Sequence, residues 1–483
     1  MHYDAYFGIY PRSELHQISS TDITAPLGQL AIATEVRKRC PEALVKVFYG
    51  EVTDEAVIYA EIELLAKHCN QVLVGFTLNA GSTGRALKMA RHFDSLGMDV
   101  ILGGPEVWLS FQGHGDLLLR DKPYIRGIGI GSGEHIVARI VRDGWSTDIP
   151  NVVFREQSRG GLTHGVLSPA GLDFDAVEVD YSLQHGIEQV NGVSYLWKTD
   201  CHLAKGQRCY FCGRVELGFG SRSPERVWQE LRQARDTWGI TKYYNAADSV
   251  AVNLAGLEKF VAAQPPDFGS EMHRCFINAH QVNPRSIECL KRLNALAAIG
   301  VESYALFDTV GKKLSSVEIN EKAITALNGA GIQLVLSFVL GLPGETEETL
   351  ARTGRYIESL VERFPMIASI EMSPLTITSG TNAYRDLMMK AGERFSNRLP
   401  PHDLIELSDV YFEVCCRVSR ASTIQGAAAL ARRIKRMRPN IWVDVKGLST
   451  EEWGRAFTGV EIGSEALPYV EQEEGVAHGV TSC

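Results

Sequence analysis

Short apolar runs alternate with amphipathic stretches through the first 150 residues, in the order that a doubly wound parallel sheet requires. Tyr3 to Tyr10 predicts a first strand, Gly28 to Arg39 a helix, Leu44 to Tyr49 a second strand and Glu55 to His68 a second helix. Gln71-Val-Leu-Val-Gly-Phe-Thr77 follows as a buried strand, Ser82 to Leu96 as a helix, and Asp99-Val-Ile-Leu-Gly-Gly-Pro105 as a strand ending on glycines. A last repeat, Tyr124 to Glu134, has glycines at 127, 129, 131 and 133 and feeds a helix from His135 to Arg142. Sheets of this kind bind ligands outside the carboxyl ends of their strands, where Thr77, Leu78, Gly103, Gly104 and Pro105 fall. Glycines let backbone approach a ligand closely, and the helix N-terminus beyond them suits an anionic group.

Residues 151–190 mix a short strand, Asn151 to Arg155, with turn-rich sequence and read as a linker. Periodicity restarts with a strand at Gly192 to Trp197, and Ser223-Pro224 opens a helix. Lys242 to Asn245, Arg274 to Asn278, Glu302 to Leu306 and Leu334 to Leu340 predict further strands. Helices at Leu254 to Ala263, Pro284 to Ala298 and Glu318 to Ala330 separate them. Repeated units of this size imply a parallel sheet curling into a full or partial barrel over 191–385, with its chemistry at the carboxyl ends of the strands. From 386 to 483 the pattern is helical, with a loose tail.

The length of 483 residues suits roughly two or three domains. With 45% apolar and 22% charged residues the composition is that of a soluble globular protein, and neither a bilayer-length apolar run nor an export signal is visible, so a cytoplasmic location is expected. The 58 acids against 49 bases leave a net charge of -9 and no global basic footprint for nucleic acid. A small-molecule or peptide substrate is the default. Ten cysteines in so long a chain are not a disulfide scaffold, and reduced thiols are free to bind metal.

Cys201, Cys209 and Cys212 change the picture, with seven residues between the first pair and two between the second. A cubane iron-sulfur cluster takes four Cys ligands, so three thiols leave one iron open, and an open site marks catalysis. Zinc with His202 or Cys275 as fourth ligand is the rival. Cys415 and Cys416 form a further pair of undetermined role.

With these motifs the chain resembles the radical S-adenosylmethionine superfamily, in the subgroup with an N-terminal cobalamin-binding domain, like the class B methyltransferases. The likeness covers roughly residues 1 to 385; the seven-residue gap departs from the superfamily's usual three. It implies a Rossmann-like cobalamin-binding domain over 1–150, a linker over 151–190, a partial TIM barrel over 191–385 and a small helical region over 386–483. Phe211 precedes Cys212 as in relatives, and Gly331 to Glu345 resembles the strand and turn that pass the adenine of S-adenosylmethionine, with Val339, Leu340 and Gly341 in contact. Asn245 and Asp248 stand where relatives reach the cofactor's ammonium, with turn formation as the plain alternative. Where relatives carry Gly-Ile-Glu-Ser-Gly after the fourth strand, this chain has Leu306-Phe-Asp-Thr-Val-Gly311. The ribose-binding Glu is then absent, and Asp308 or Thr309 replaces it.

Thr77, Leu78, Gly103, Gly104, Pro105, Gly131, Gly133 and Glu134 resemble positions around cobalamin, while the Asp-x-His-x-x-Gly motif that supplies a cobalt-ligating His is missing. A remnant that has lost the cofactor is the bland alternative. The resemblance implies a 4Fe-4S cluster that cleaves S-adenosylmethionine to a 5'-deoxyadenosyl radical, and an electron donor such as flavodoxin or ferredoxin. Adding methylcobalamin implies C-methylation of an unactivated carbon, as in natural-product tailoring. Cyclisation, rearrangement or oxidation without methyl transfer is the alternative, and a metal-stabilised binding protein a third.

Overall fold

The computed structural model describes residues 2–457 except 17–24, 112–114, 157–160, 167–172, 191, 200, 202–207, 214–219, 313 and 399–402. Its first sheet contains β1 (Ala5–Tyr10), β2 (Leu44–Tyr49), β3 (Val72–Thr77), β4 (Asp99–Gly103), β5 (Gly127–Gly129), β6 (Val152–Arg155) and β7 (Leu162–His164). The order is β2-β1-β3-β4-β5-β6-β7; the first five strands are parallel and the last two antiparallel. The parallel part is a doubly wound sheet whose topological switch lies between β1 and β3.

Both faces are covered, which is why β1, β3 and β4 are apolar almost throughout. Leu30, Ala33 and Val36 of the helix Leu27–Arg39 join Val137, Ile140 and Val141 of Glu134–Asp143 on one face. Ile58 and Ile62 of Glu55–Ala66 and Met89 and Phe93 of Thr83–Ser95 cover the other. Within the segment read as a linker, the expected strand at 151–155 and a second at 162–164 extend this sheet: Val152, Val153 and Phe154 are buried, and Glu156 N donates to Gly161 O at 3.0 Å to close a hairpin.

A second sheet contains β8 (Val193–Tyr195), β9 (Lys242–Asn245), β10 (Met272–Phe276), β11 (Ala295–Glu302), β12 (Gln333–Leu340), β13 (Ile367–Pro374) and β14 (Trp442–Val445). All pair in parallel and in sequence order, with β8 and β14 as free edges among the described residues, so the barrel is partial. Two strands were not foreseen. β13 lies beyond the last expected strand, and β14 comes from the region read as helical.

The expected fourth strand is also corrected. Residues 295–302 form it, and the helix expected through Ala298 is Pro284–Arg292. Asn294, at φ 45°, turns the chain out of that helix. The alanines of Ala295-Leu-Ala-Ala298 favour helix, but a central buried strand overrides so weak a preference. One continuous core joins the Leu27–Arg39 face of the first sheet to the helices around the second.

Candidate active site

Two cavities open at the carboxyl ends of the two sheets. The first has a volume of about 290 Å³, at the lower edge of the roughly 300–1,000 Å³ of pockets for drug-sized ligands. Thr77, Gly103, Gly104, Pro105, Gly131, Gly133 and Glu134 line it. Leu78 does not: it is fully buried, and its backbone joins β3 to β4 through Gly103 O and Glu106 N. Gly104, at φ 99°, makes that turn, where a side chain would meet Leu78 O.

Side chains built on Gly103 and Gly129 would first meet atoms at 3.9 and 3.7 Å, so these glycines leave room rather than turn the chain. Tyr6 and Gln29, which sequence reading missed, form the polar wall. Tyr6 OH donates to Gln29 Oε1 at 2.9 Å, and Gln29 Nε2 donates to Thr77 Oγ1 at 2.8 Å. Glu134 Oε2 is buried without a hydrogen-bond partner among the described residues, and burial pushes its carboxyl above the usual range. An apolar slot with one orphaned acceptor fits the apolar surface of a ligand that brings a donor.

The second cavity, about 510 Å³, lies over the partial barrel. Phe211, Asp248 and Val339 line it. Leu340 is in the core beneath it, and Gly341, at φ 90°, forms the turn behind it, backed by the Phe412 ring. Gly341 N donates to Glu345 Oε2 at 3.1 Å, which fixes that turn. Asn245 takes its plain reading: fully buried, its Oδ1 accepts from Ala247 N at 3.0 Å. Asp308 and Thr309 are exposed and outside the cavity.

Glu302 lines the cavity instead, at the end of the true fourth strand, within Gly300-Val-Glu-Ser303. A Glu therefore does stand at the end of the fourth strand, at the residue where that strand was expected to begin: the misplaced strand hid it. Glu302 has φ 68°, rare for a side-chain-bearing residue, and a bulge against β12. Its carboxylate is paired with Lys312 Nζ at 2.9 Å.

A charged layer floors this cavity. Arg274 Nη2 reaches across the barrel from β10 to Glu371 Oε1 on β13 at 2.6 Å; Lys446 Nζ meets the same oxygen at 2.9 Å, and Ser337 Oγ donates to Oε2 at 2.9 Å. Burial opposes charge on Glu371, but Lys446, Arg274 and the Ser337 bond outweigh it and hold the carboxyl at about 2.

The cysteine loop stands beside this cavity. Tyr210 N donates to Val310 O at 2.8 Å, Tyr210 OH to Asp386 Oδ2 at 2.8 Å, and Cys212 N to Cys209 O at 3.0 Å. Cys201, Cys209 and Cys212 are half-buried, and residues 202–207 between them, including His202, lie outside the described residues. Among the described residues no three acidic, His or Cys side chains already stand at metal-ligand spacing. The three thiols are nevertheless electrostatic neighbours: burial, then Glu302 and the other two thiols, push Cys209 up to about 12, against Lys312. Thiols crowded this way need a cation to stay ionised together, so the donor set fits a metal cluster. Cys275 is fully buried in the core and is no fourth ligand for that loop. Cys416 Sγ contacts Gly341 O at 3.5 Å and so braces that turn, while Cys415 receives Lys390 Nζ at 3.4 Å.

No protein-family model matches the chain. A curated relative, anaerobic magnesium-protoporphyrin IX monomethyl ester cyclase of Cereibacter sphaeroides, is 24% identical over 282 residues, 53% of this chain and 44% of that protein. The chain thus spans less than half the length of that relative. Among solved structures, TsrM of Kitasatospora setae, a radical S-adenosylmethionine methyltransferase with cobalamin and a 4Fe-4S cluster bound, superposes with TM-score 0.59 at 15% identity, over 80% of this chain and 75% of that one. OxsB, a cobalamin-dependent S-adenosylmethionine radical enzyme with aqua-cobalamin and S-adenosylmethionine bound, gives 0.63 at 14%, over 90% and 67%. The fold is that of cobalamin-dependent radical S-adenosylmethionine enzymes, a doubly wound domain joined to a partial TIM barrel, as the sequence resemblance implied.

Proposed function

We propose that this chain is a cobalamin-dependent radical S-adenosylmethionine enzyme that methylates an unactivated carbon of a small molecule or peptide. One observation carries the reading: a mostly apolar, glycine-walled slot and a three-cysteine loop beside a charged barrel cavity occur in one chain. The likeness in fold to TsrM and OxsB supports it. When bound, the cluster with S-adenosylmethionine supplies a 5'-deoxyadenosyl radical, and cobalamin supplies the methyl group.

The chain's own part is binding, orientation and exclusion of water. Cys201, Cys209 and Cys212 would hold the cluster, leaving one iron for S-adenosylmethionine. Glu302 would accept from ribose hydroxyls, Val339 and the Gly341 turn would meet adenine, and Phe211 and Asp248 complete the wall. Thr77, Gly103, Gly104, Pro105, Gly131, Gly133 and Glu134 would surround cobalamin, with Glu134 accepting a donor. With no His motif in this domain, Gln29, Thr77 and Tyr6 would offer cobalamin the polar wall of that slot. No helix among the described residues is long and apolar enough to cross a membrane, and a reducing cytoplasm with a flavodoxin or ferredoxin donor suits the chemistry.

The cyclase likeness favours a second reading, a radical cyclisation, rearrangement or oxidation without methyl transfer. The products separate the two. Methylation forms S-adenosylhomocysteine together with 5'-deoxyadenosine, whereas 5'-deoxyadenosine alone overturns methyl transfer.

A further inference from the structure

Lys312 is only 7% exposed and donates to Gly300 O at 2.7 Å and Glu302 Oε1 at 2.9 Å. A buried ammonium costs several kcal/mol unless paired, and here every element around it is shaped to the pair. Gly300 has no Cβ because one there would strike both Glu302 Oε1 and Lys312 Nζ. Glu302 takes a left-handed backbone that turns its carboxylate toward the ammonium. The loop leading to Lys312 is tied to the cysteine loop, since Val310 O accepts from Tyr210 N between Cys209 and Cys212. Glu302, Lys312 and Phe211 line the same cavity.

We propose that Lys312 is a positioning residue: it fixes Glu302 for its ligand and offsets the Glu302 charge, so that an acceptor for hydroxyls can stand beside the cluster without opposing its reduction. This rests on the reading that Cys201, Cys209 and Cys212 hold a 4Fe-4S cluster. In the step concerned the cluster gains one electron and an external one-electron donor, protein or dithionite, loses one. Cluster potentials follow nearby net charge and exposure, so an anion opposes the incoming electron and a cation favours it.

The test is an EPR-monitored redox titration of the anaerobically reconstituted full chain, with dithionite and without S-adenosylmethionine. Lys312→Met is expected to lower the reduced-to-oxidised ratio about tenfold at fixed poise, a midpoint about 59 mV more negative for a one-electron couple. Glu302→Gln moves the midpoint the other way and further, and Lys312→Arg restores the native value. A merely structural tie loosens the fold but gives no opposite-signed shifts. An unmoved midpoint in Lys312→Met, or a shift of the same sign in Glu302→Gln, overturns the proposal. Should Lys312→Met fail to assemble a cluster, Glu302→Gln decides: a midpoint unmoved or more negative contradicts it. A native chain with no cluster signal overturns the reading beneath it, a different result from a normal signal with unmoved midpoints.

Discussion

The two cavities are built on opposite principles. The first offers glycines and aliphatic side chains, with Glu134 and Arg222 as its ionisable lining, and Arg222 is already occupied by Glu230 and backbone carbonyls. The second is lined by Asp248, Glu302, Lys312, Glu371 and Lys446. A large ligand with much apolar surface is held by shape, and only small residues at strand ends make the space. A compact charged ligand is held by preset charges, which must be paired while the site is empty. The Glu302–Lys312 pair and the Arg274–Glu371–Lys446 layer are those pairs.

The largest expected effect breaks one side of this contrast alone. Cys209→Ala, or the same change at Cys201 or Cys212, should reduce S-adenosylmethionine cleavage to background while the protein still takes up cobalamin, as absorption spectra of the washed protein will report. The complementary change is Gly103→Phe. Its first methylene has room, but the ring fills the slot, so cobalamin affinity should fall about 100-fold or more while iron content stays native. Loss of both cofactors in either variant would mean that the cavities are not independent.

A smaller effect sharpens the charged side. Glu302→Gln should weaken S-adenosylmethionine binding about tenfold, the scale of one hydrogen bond to a charged group, measured by equilibrium dialysis of the unreduced protein. Unchanged affinity would place the ribose elsewhere.

The smallest effect is a pH dependence in the core behind the barrel. His273, fully buried, has its pKa lowered from 6.5 to about 3 by desolvation. Its folded state stays neutral while the unfolded chain takes up a proton below 6.5. Stability from this residue is therefore intact above 6.5 and is lost as pH falls toward about 3, at up to about 1.4 kcal/mol per pH unit. Denaturant titrations of native and His273→Phe protein between pH 7 and 5 should show the native slope reduced in the variant.

The contrast between the cavities also explains what the sequence disclosed. Apolar runs ending in Gly103-Gly104 and Gly129-Ile-Gly131 are legible because both the strand and the space it leaves are local properties of the chain. The three cysteines are legible for the same reason. Glu302 was hidden because Ala295-Leu-Ala-Ala298 favours helix by itself and is strand only between β10 and β12. Glu371 and Lys446 were hidden because a charge inside a barrel makes sense only with Arg274, which stands 97 residues from Glu371 in sequence. β13 and β14 were missed with them. Leu78 and Asn245 fell on the right strand ends, but their side chains serve the core and a turn.

The most direct test of the account is the joint iron, sulfide and cobalamin content of one anaerobically reconstituted preparation. The account predicts about four irons and about four sulfides per chain with one cobalamin, the iron lost in Cys209→Ala and the cobalamin in Gly103→Phe. Stoichiometric zinc without iron, or iron without any cobalamin uptake, would contradict it.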